Sequence, residues 1–139
     1  MRTRPLKRAT GANLLGRRIL VVEDHRDSRE MLETSFRFVG ARVLGVSNVA
    51  EAQRGIDRFK PDLVVCDLKL PDGTGLDFVV WLRARSRAHA GDVPCIALTG
   101  YDRQFPRDRA IGFDAYMLKP VDLAKLCNIA SGLIGRAQP

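Results

Sequence analysis

From Arg18 onward the chain alternates short apolar runs with longer stretches in which apolar residues recur every third or fourth position. The runs Ile19 to Val22, Ala41 to Val46, Leu63 to Cys66, Val93 to Leu98 and Ala115 to Leu118 predict five strands. Three of them are almost unbroken in apolar character, as strands are when both faces of a parallel sheet are covered. Between the runs, Asp27 followed by Glu30 and Asn48 followed by Glu51 have the spacing of helix capping boxes. Val49, Ala52, Ile56 and Phe59 then repeat at helical spacing, as do Leu123, Leu126, Cys127, Ala130, Leu133 and Ile134 in the last segment. These stripes predict helix faces laid on the sheet.

Five strands alternating with five helices over roughly 120 residues predict an α/β domain of the doubly wound (βα)5, flavodoxin-like kind. Its parallel five-stranded sheet would run in the order 2-1-3-4-5. The fourth helix has the faintest pattern. Residues 101 to 112 are rich in charge and contain Pro106, which predicts a loop and a short helix starting near that proline. No internal repeat or low-complexity tract interrupts the series.

Composition changes this picture at one end only. The net charge of +7 suggests a nucleic-acid partner, but Arg2, Arg4, Lys7, Arg8, Arg17 and Arg18 precede residue 19 without any acid, and the remainder carries 17 basic against 16 acidic residues. Residues 1–16, interrupted by Pro5, Gly11 and Gly16, read as a flexible basic arm, and 136–139 as a tail. The arm lacks the apolar region of a signal peptide, so a solvated extension is the expectation, with salt-dependent nucleic-acid binding through the arm as its rival. No run approaches the ~18 apolar residues of a membrane span. Cys66, Cys95 and Cys127 form no CxxC pair and lie in apolar stretches, the pattern of reduced core thiols in a cytoplasmic protein.

Candidate chemistry gathers at the strand ends. In doubly wound sheets ligands bind beyond the carboxyl ends of the strands, where strand order reverses. The first strand ends in Glu23-Asp24, the third in Asp67, the fourth in Thr99 and the fifth in Lys119. Singly, each has a plain reading as a turn, cap or solvated residue. Together they converge on one edge, and closely packed carboxylates repel unless a cation lies among them. A hard divalent ion with oxygen ligands is the natural choice. Such a set suits phosphoryl transfer, with Asp67 as nucleophile and an acyl phosphate as product. Mg²⁺, or Mn²⁺, held by Asp24 and Asp67 with Glu23 in support would offset the phosphoryl charge. Lys119 and Thr99 would contact phosphoryl oxygens.

These residues, in their contexts, resemble the receiver (response regulator) domains of two-component signal transduction, from Arg17 to Gly135. Ile-Leu-Val-Val-Glu23-Asp24 is similar to the family's first strand and acidic pair. Asp67-Leu-Lys-Leu-Pro71-Asp-Gly-Thr-Gly75 is similar to its phosphoacceptor and following loop, Ala-Leu-Thr99-Gly100 to its hydroxyl position, and Lys119-Pro120 to its lysine and a proline that is typically cis. The resemblance implies a receiver spanning 17–135 in a bacterial cytoplasm, phosphorylated on Asp67 by a sensor histidine kinase or a histidine phosphotransfer protein. It also implies that the backbone carbonyl of Lys69 completes the metal's protein ligands. Thr99 and Tyr116 would act as the switch that remodels a protein-binding face formed by the fourth helix, fifth strand and fifth helix, with a phosphorylation-linked dimer as one outcome. It implies a phosphoacceptor, not an enzyme, beyond self-phosphorylation from small donors and autodephosphorylation.

Lys69 and Tyr101, two residues beyond Asp67 and Thr99, would flank the site and restrict hydrolytic water. His25 is read as a loop residue in preference to a phosphohistidine, and His89 receives no role. A stand-alone receiver without output domain is expected. The alternatives are the receiver module of a hybrid histidine kinase, or a phosphorylation-independent binding module. From another class, a haloacid dehalogenase-type phosphatase places its nucleophile in Asp-x-Asp on the first strand, whereas here residue 69, two beyond the third-strand aspartate, is Lys. A Rossmann nucleotide site lacks its Gly-x-Gly-x-x-Gly.

Overall fold

The computed structural model describes residues 12–100 and 112–137. Along these residues run β1 (Arg18–Val22), α1 (Arg26–Phe38), β2 (Arg42–Val46), α2 (Val49–Phe59) and β3 (Leu63–Asp67). There follow a hairpin of two-residue strands, β4 (Lys69–Leu70) and β5 (Gly73–Thr74), then α3 (Gly75–Arg83) and a 3₁₀ turn (Arg87–His89). β6 (Cys95–Thr99), β7 (Ala115–Leu118) and α4 (Leu123–Ala137) complete the set. The main sheet is parallel throughout, in the order β2-β1-β3-β6-β7. With the hairpin set aside, this is the expected 2-1-3-4-5.

The period of two along each strand divides the core between the faces of the sheet. Ile19 and Val21 of β1 join Val65 of β3, Leu98 of β6 and the apolar stripes of α1 and α4. Leu20 and Val22 join Val64 and Cys66 against α2 and α3. Phe36 on one side and Phe78 on the other are wholly enclosed, each stabilising the fold by about 1.5–3 kcal/mol through burial. Every residue of β3 and β6 is buried, which explains why those two runs looked apolar throughout. At the end of the sheet where these strands begin, the Arg83 guanidinium donates to the carbonyls of Gly112, Gly91 and Val93 and pairs with Asp114.

Several boundaries differ from the expectations, each for a local reason. The Asp27–Glu30 box does not form: α1 begins earlier, with His25 at its N-cap and no side-chain cap. Asp27 instead lies in the first turn, where an acid suits the helix dipole, and Glu30 pairs with Arg26. The Asn48 cap does form, its Oδ1 accepting from Glu51 N–H at 2.8 Å, while the Glu51 carboxylate accepts from Ser47 N–H and not from residue 48. β6 starts at Cys95, not Val93, because Pro94 has no N–H to donate and Val93 N–H is used in a turn to Ala90 O. The last helix runs to Ala137, past Ile134, where its apolar stripe ends, and into the residues expected as a tail.

The described part of the expected arm is not loose. Ala12 and Leu14 are buried in the α1–α4 side of the core, and Leu14 N–H and Gly16 N–H donate to Val39 O and Gly40 O. The apolar Leu14 side chain offsets the charges that made this segment look solvated. Gly40, at φ +101°, turns the chain from α1 into β2, and a Cβ there would lie 2.9 Å from Leu15 Cα. The fourth helix expected near Pro106 falls outside the described residues.

Candidate functional site

The parallel ladders carry the candidate residues to one edge. Asp67 and Thr99 are the last residues of β3 and β6, Glu23 and Asp24 follow β1, and Lys119 follows β7. Backbone bonds beyond the regular strands hold these ends in line. Glu23 N–H donates to Val46 O at 3.0 Å, Leu68 N–H to Leu98 O at 3.1 Å, and Lys119 N–H to Thr99 O at 2.8 Å.

Lys119 is the hub of the polar contacts. Its Nζ donates to Asp67 Oδ2 and to Glu23 Oε1, both at 2.8 Å. Burial opposes a charge on this amine, yet the hydrogen bonds and charges of Asp67 and Glu23 outweigh it and raise its pKa. Glu23 is wholly buried, and burial raises its pKa, partly offset by the Lys119 hydrogen bond. Its second oxygen accepts from His25 N–H at 3.2 Å. Glu23 is therefore engaged in holding Lys119 and the first loop. Asp67, nearly as buried, accepts from Lys69 N–H on Oδ1 at 3.1 Å.

Asp24 is the less committed acid of the pair. Its side chain is 33% exposed, and Oδ1 is nonetheless buried without a hydrogen-bond partner. Arg29, one turn into α1, fixes the main chain beneath it by donating to the carbonyls of Glu23 and Asp24 at 2.9 and 3.4 Å. Glu23, Asp24, His25 and Asp67 each offer one ligand atom within 4.8 Å of the others. Three carboxylates face one ammonium, an orphaned oxygen points inward, and the donors are mostly oxygen. A divalent cation satisfies all three conditions. The mouth of the site is an open pocket of about 350 Å³ lined by Asp24, Asp67, Thr99 and Lys119 among others.

The loop after Asp67 is tightly specified. Thr74 caps α3 in a full capping box with Asp77. Gly75 N–H donates to Leu68 O at 2.9 Å, and a Cβ at Gly75 would stand 2.6 Å from the Asp67 carbonyl oxygen. Asp72 reaches across to α2, accepting from Val49 N–H at 2.8 Å and Ala50 N–H at 3.1 Å. Those two N–H bonds, Val49 first, hold its pKa below the usual value. Neither Asp72 nor Arg29 was singled out from the sequence. An acid between a proline and a glycine, and an arginine one helical turn past an acidic pair, are the signals that could have found them.

Thr99 Oγ1 donates to Gly100 O at 3.0 Å. Tyr116, half-buried on β7, packs edge-on against Phe113 with ring centroids 6.0 Å apart. The Lys119–Pro120 bond is cis. Lys69 is exposed at the rim, and Tyr101 lies outside the described residues. His89 sits at the far end of a surface turn, 2.9 Å from Ser86 Oγ. The three cysteines are free and buried, and burial pushes the Cys95 thiol up to about 12 and Cys127 to about 11. Such thiols are core, not nucleophiles.

Fold and site together define the class: the chain belongs to the response regulator receiver domain family, whose model matches residues 19–131. It is 35% identical over 113 residues to an uncharacterized 14.6 kDa protein of Leptolyngbya boryana, covering 80% of this chain and 85% of that one. With the transcriptional regulatory protein GltR of Pseudomonas aeruginosa it shares 33% identity over 88% of its own length, but it spans only 51% of that regulator. Among solved structures it resembles the receiver domain of a Pseudomonas aeruginosa sensor histidine kinase, described with a magnesium ion coordinated in the active site cleft. That match has a TM-score of 0.78 and 32% identity, covering 86% of this chain and 98% of the other. Among the described residues no helix is long and apolar enough to cross a membrane.

Proposed function

We propose that Asp67 is the phosphoacceptor of this receiver, charged by the phosphohistidine of a sensor kinase or phosphotransfer protein, and that the phosphorylated domain acts through a protein-binding face. The observation that carries this reading is the pairing of Asp67 and Glu23 on one lysine, beside a buried Asp24 oxygen with no hydrogen-bond partner. An Asp67 carboxylate oxygen attacks phosphorus, the P–N bond breaks, and the departing imidazole keeps the electron pair and takes up a proton. Lys119, already 2.8 Å from Asp67 Oδ2, neutralises the added charge. Asp24 and Asp67, with the Lys69 carbonyl and Glu23 in support, would hold Mg²⁺ or Mn²⁺, which supplies Lewis-acid stabilisation of the phosphoryl oxygens.

Thr99 is proposed to exchange its bond to Gly100 O for one to a phosphoryl oxygen, with Tyr116 turning inward beside β6. The face around β7 and α4 would carry the change to a downstream protein or a second copy. Lys69 and Tyr101 are proposed to set the lifetime of the acyl phosphate; an unchanged dephosphorylation rate in a Lys69→Ala, Tyr101→Ala double variant would remove them from that role. The central test is incubation with Mg²⁺ and acetyl phosphate followed by intact-mass measurement. One phosphoryl group should be gained, and none by Asp67→Ala. No gain under conditions that label another receiver overturns the proposal and leaves a phosphorylation-independent binding module.

A further inference from the structure

His25 occupies the N-cap of α1 but does not cap it. An N-cap side chain ordinarily accepts from the N–H groups of the first turn, and this ring turns back toward the acids. Its Nδ1 lies 3.4 Å from Glu23 Oε2 and 3.4 Å from Asp24 Oδ1. Those separations are long for an N–H···O hydrogen bond. With its proton on Nε2, the ring would turn a nitrogen lone pair toward two carboxylate oxygens, an arrangement that a cation among them would relieve. With metal–nitrogen and metal–oxygen bonds of about 2.0–2.1 Å, adjacent ligand atoms of a tetrahedral centre sit roughly 3.3 Å apart. The observed spacing is that of a coordination edge. The orphaned Asp24 Oδ1 belongs to the same edge, and the ring, 75% exposed, can approach an ion from the solvent side.

We propose that His25 Nδ1 is a nitrogen ligand to the cation held by Asp24 and Asp67, so that the site takes borderline first-row ions such as Co²⁺ or Zn²⁺ as well as Mg²⁺. This rests on the reading that Asp24 and Asp67 hold a divalent ion. Mg²⁺ prefers oxygen donors and gains little from an imidazole, whereas Co²⁺ and Zn²⁺ gain much. His25 thereby sets which ion the receiver carries. The ring would bind through Nδ1 with its proton on Nε2, facing water.

The full chain, its His25→Ala variant and its Asp24→Asn variant are titrated with MgCl₂ and separately with CoCl₂ by calorimetry. The imidazole proton resonances are followed by NMR during the Co²⁺ titration. The chain has only two histidines, His25 and His89, so one variant assigns the lines. His25→Ala should weaken Co²⁺ by about 10- to 100-fold while moving Mg²⁺ less than about threefold. Asp24→Asn should weaken both ions. In the wild type, Co²⁺ should displace the His25 lines strongly and leave those of His89 in place. Equal Co²⁺ affinities in wild type and His25→Ala, with Mg²⁺ still bound, overturn the assignment of His25 alone. Absence of Mg²⁺ binding to the wild type, or its indifference to Asp24→Asn, overturns the metal reading beneath it as well. His25 caps nothing, so its removal does not threaten the fold.

Discussion

The two loops that bring carboxylates to the site are built on opposite plans. The segment after β3 is fixed several times over: a hairpin closes it, Thr74 and Asp77 cap the next helix reciprocally, Asp72 ties it to α2, and Gly75 packs under the Asp67 carbonyl. The segment after β1 is held through Glu23, which meets Val46 O, Lys119 Nζ and His25 N–H, and by Arg29 through two main-chain oxygens. Its helix starts without a side-chain cap. Asp67, the proposed phosphoacceptor, thus stands on a multiply braced platform, while Asp24, the less committed acid, has fewer contacts beside the proposed ion. Such a division would place preorganisation where an atom is proposed to attack and compliance where a ligand shell would close.

The contrast breaks most visibly at Gly75. Gly75→Ala forces a Cβ against backbone that has no room to retreat, and denaturant unfolding should show a loss of about 2–3 kcal/mol, with phosphorylation from acetyl phosphate falling alongside. A loss under half of that would mean the platform is softer than its contacts suggest. On the compliant side, Arg29→Ala should leave the fold intact and lower Mg²⁺ affinity by about tenfold, measured by calorimetry; unchanged affinity would shift the role of loop support to the Glu23 contact. His25→Ser supplies the missing cap and should raise stability by about 1 kcal/mol in thermal melts, trading the nitrogen donor for a stiffer first turn.

The smallest effect concerns pH. The folded pKa of Asp72 lies below its ordinary value of 3.8, so its contribution to stability is present above that value and is lost as pH falls through the lowered folded value. The stability gap between wild type and Asp72→Ala should therefore narrow in acid below that range. A gap independent of pH would show that shape, not charge, does the tying.

What could be read from the sequence follows the same division. The buried strands announced themselves because β3 and β6 are apolar at every core position, and the polar residue that ends each run marked the site. Glu23, Asp24, Asp67, Thr99 and Lys119 were legible as strand-end residues without any contact being known. The hairpin at 69–74 was not, because two-residue strands carry no periodicity. The start of α1 was misplaced because Asp27 and Glu30 match a capping pattern that the chain uses for a dipole contact and an ion pair instead. Arg29 and Asp72 act through backbone groups of distant or preceding residues, and backbone partners leave no trace in side-chain spacing. The burial of Leu14 was hidden by the charges around it.

The anchoring of Ala12 and Leu14 beside the C-terminus of α1 has a practical side. These residues enter the domain at the end of the sheet where β1 begins, and the five residues of that strand separate them from the acids by about 16 Å at 3.3 Å per residue. A dye or surface tether joined at Leu15, which is exposed between the anchored Leu14 and Gly16, therefore attaches at the pole opposite the candidate site. Immobilised there, the domain would leave the proposed cation and phosphodonor free access to the other pole.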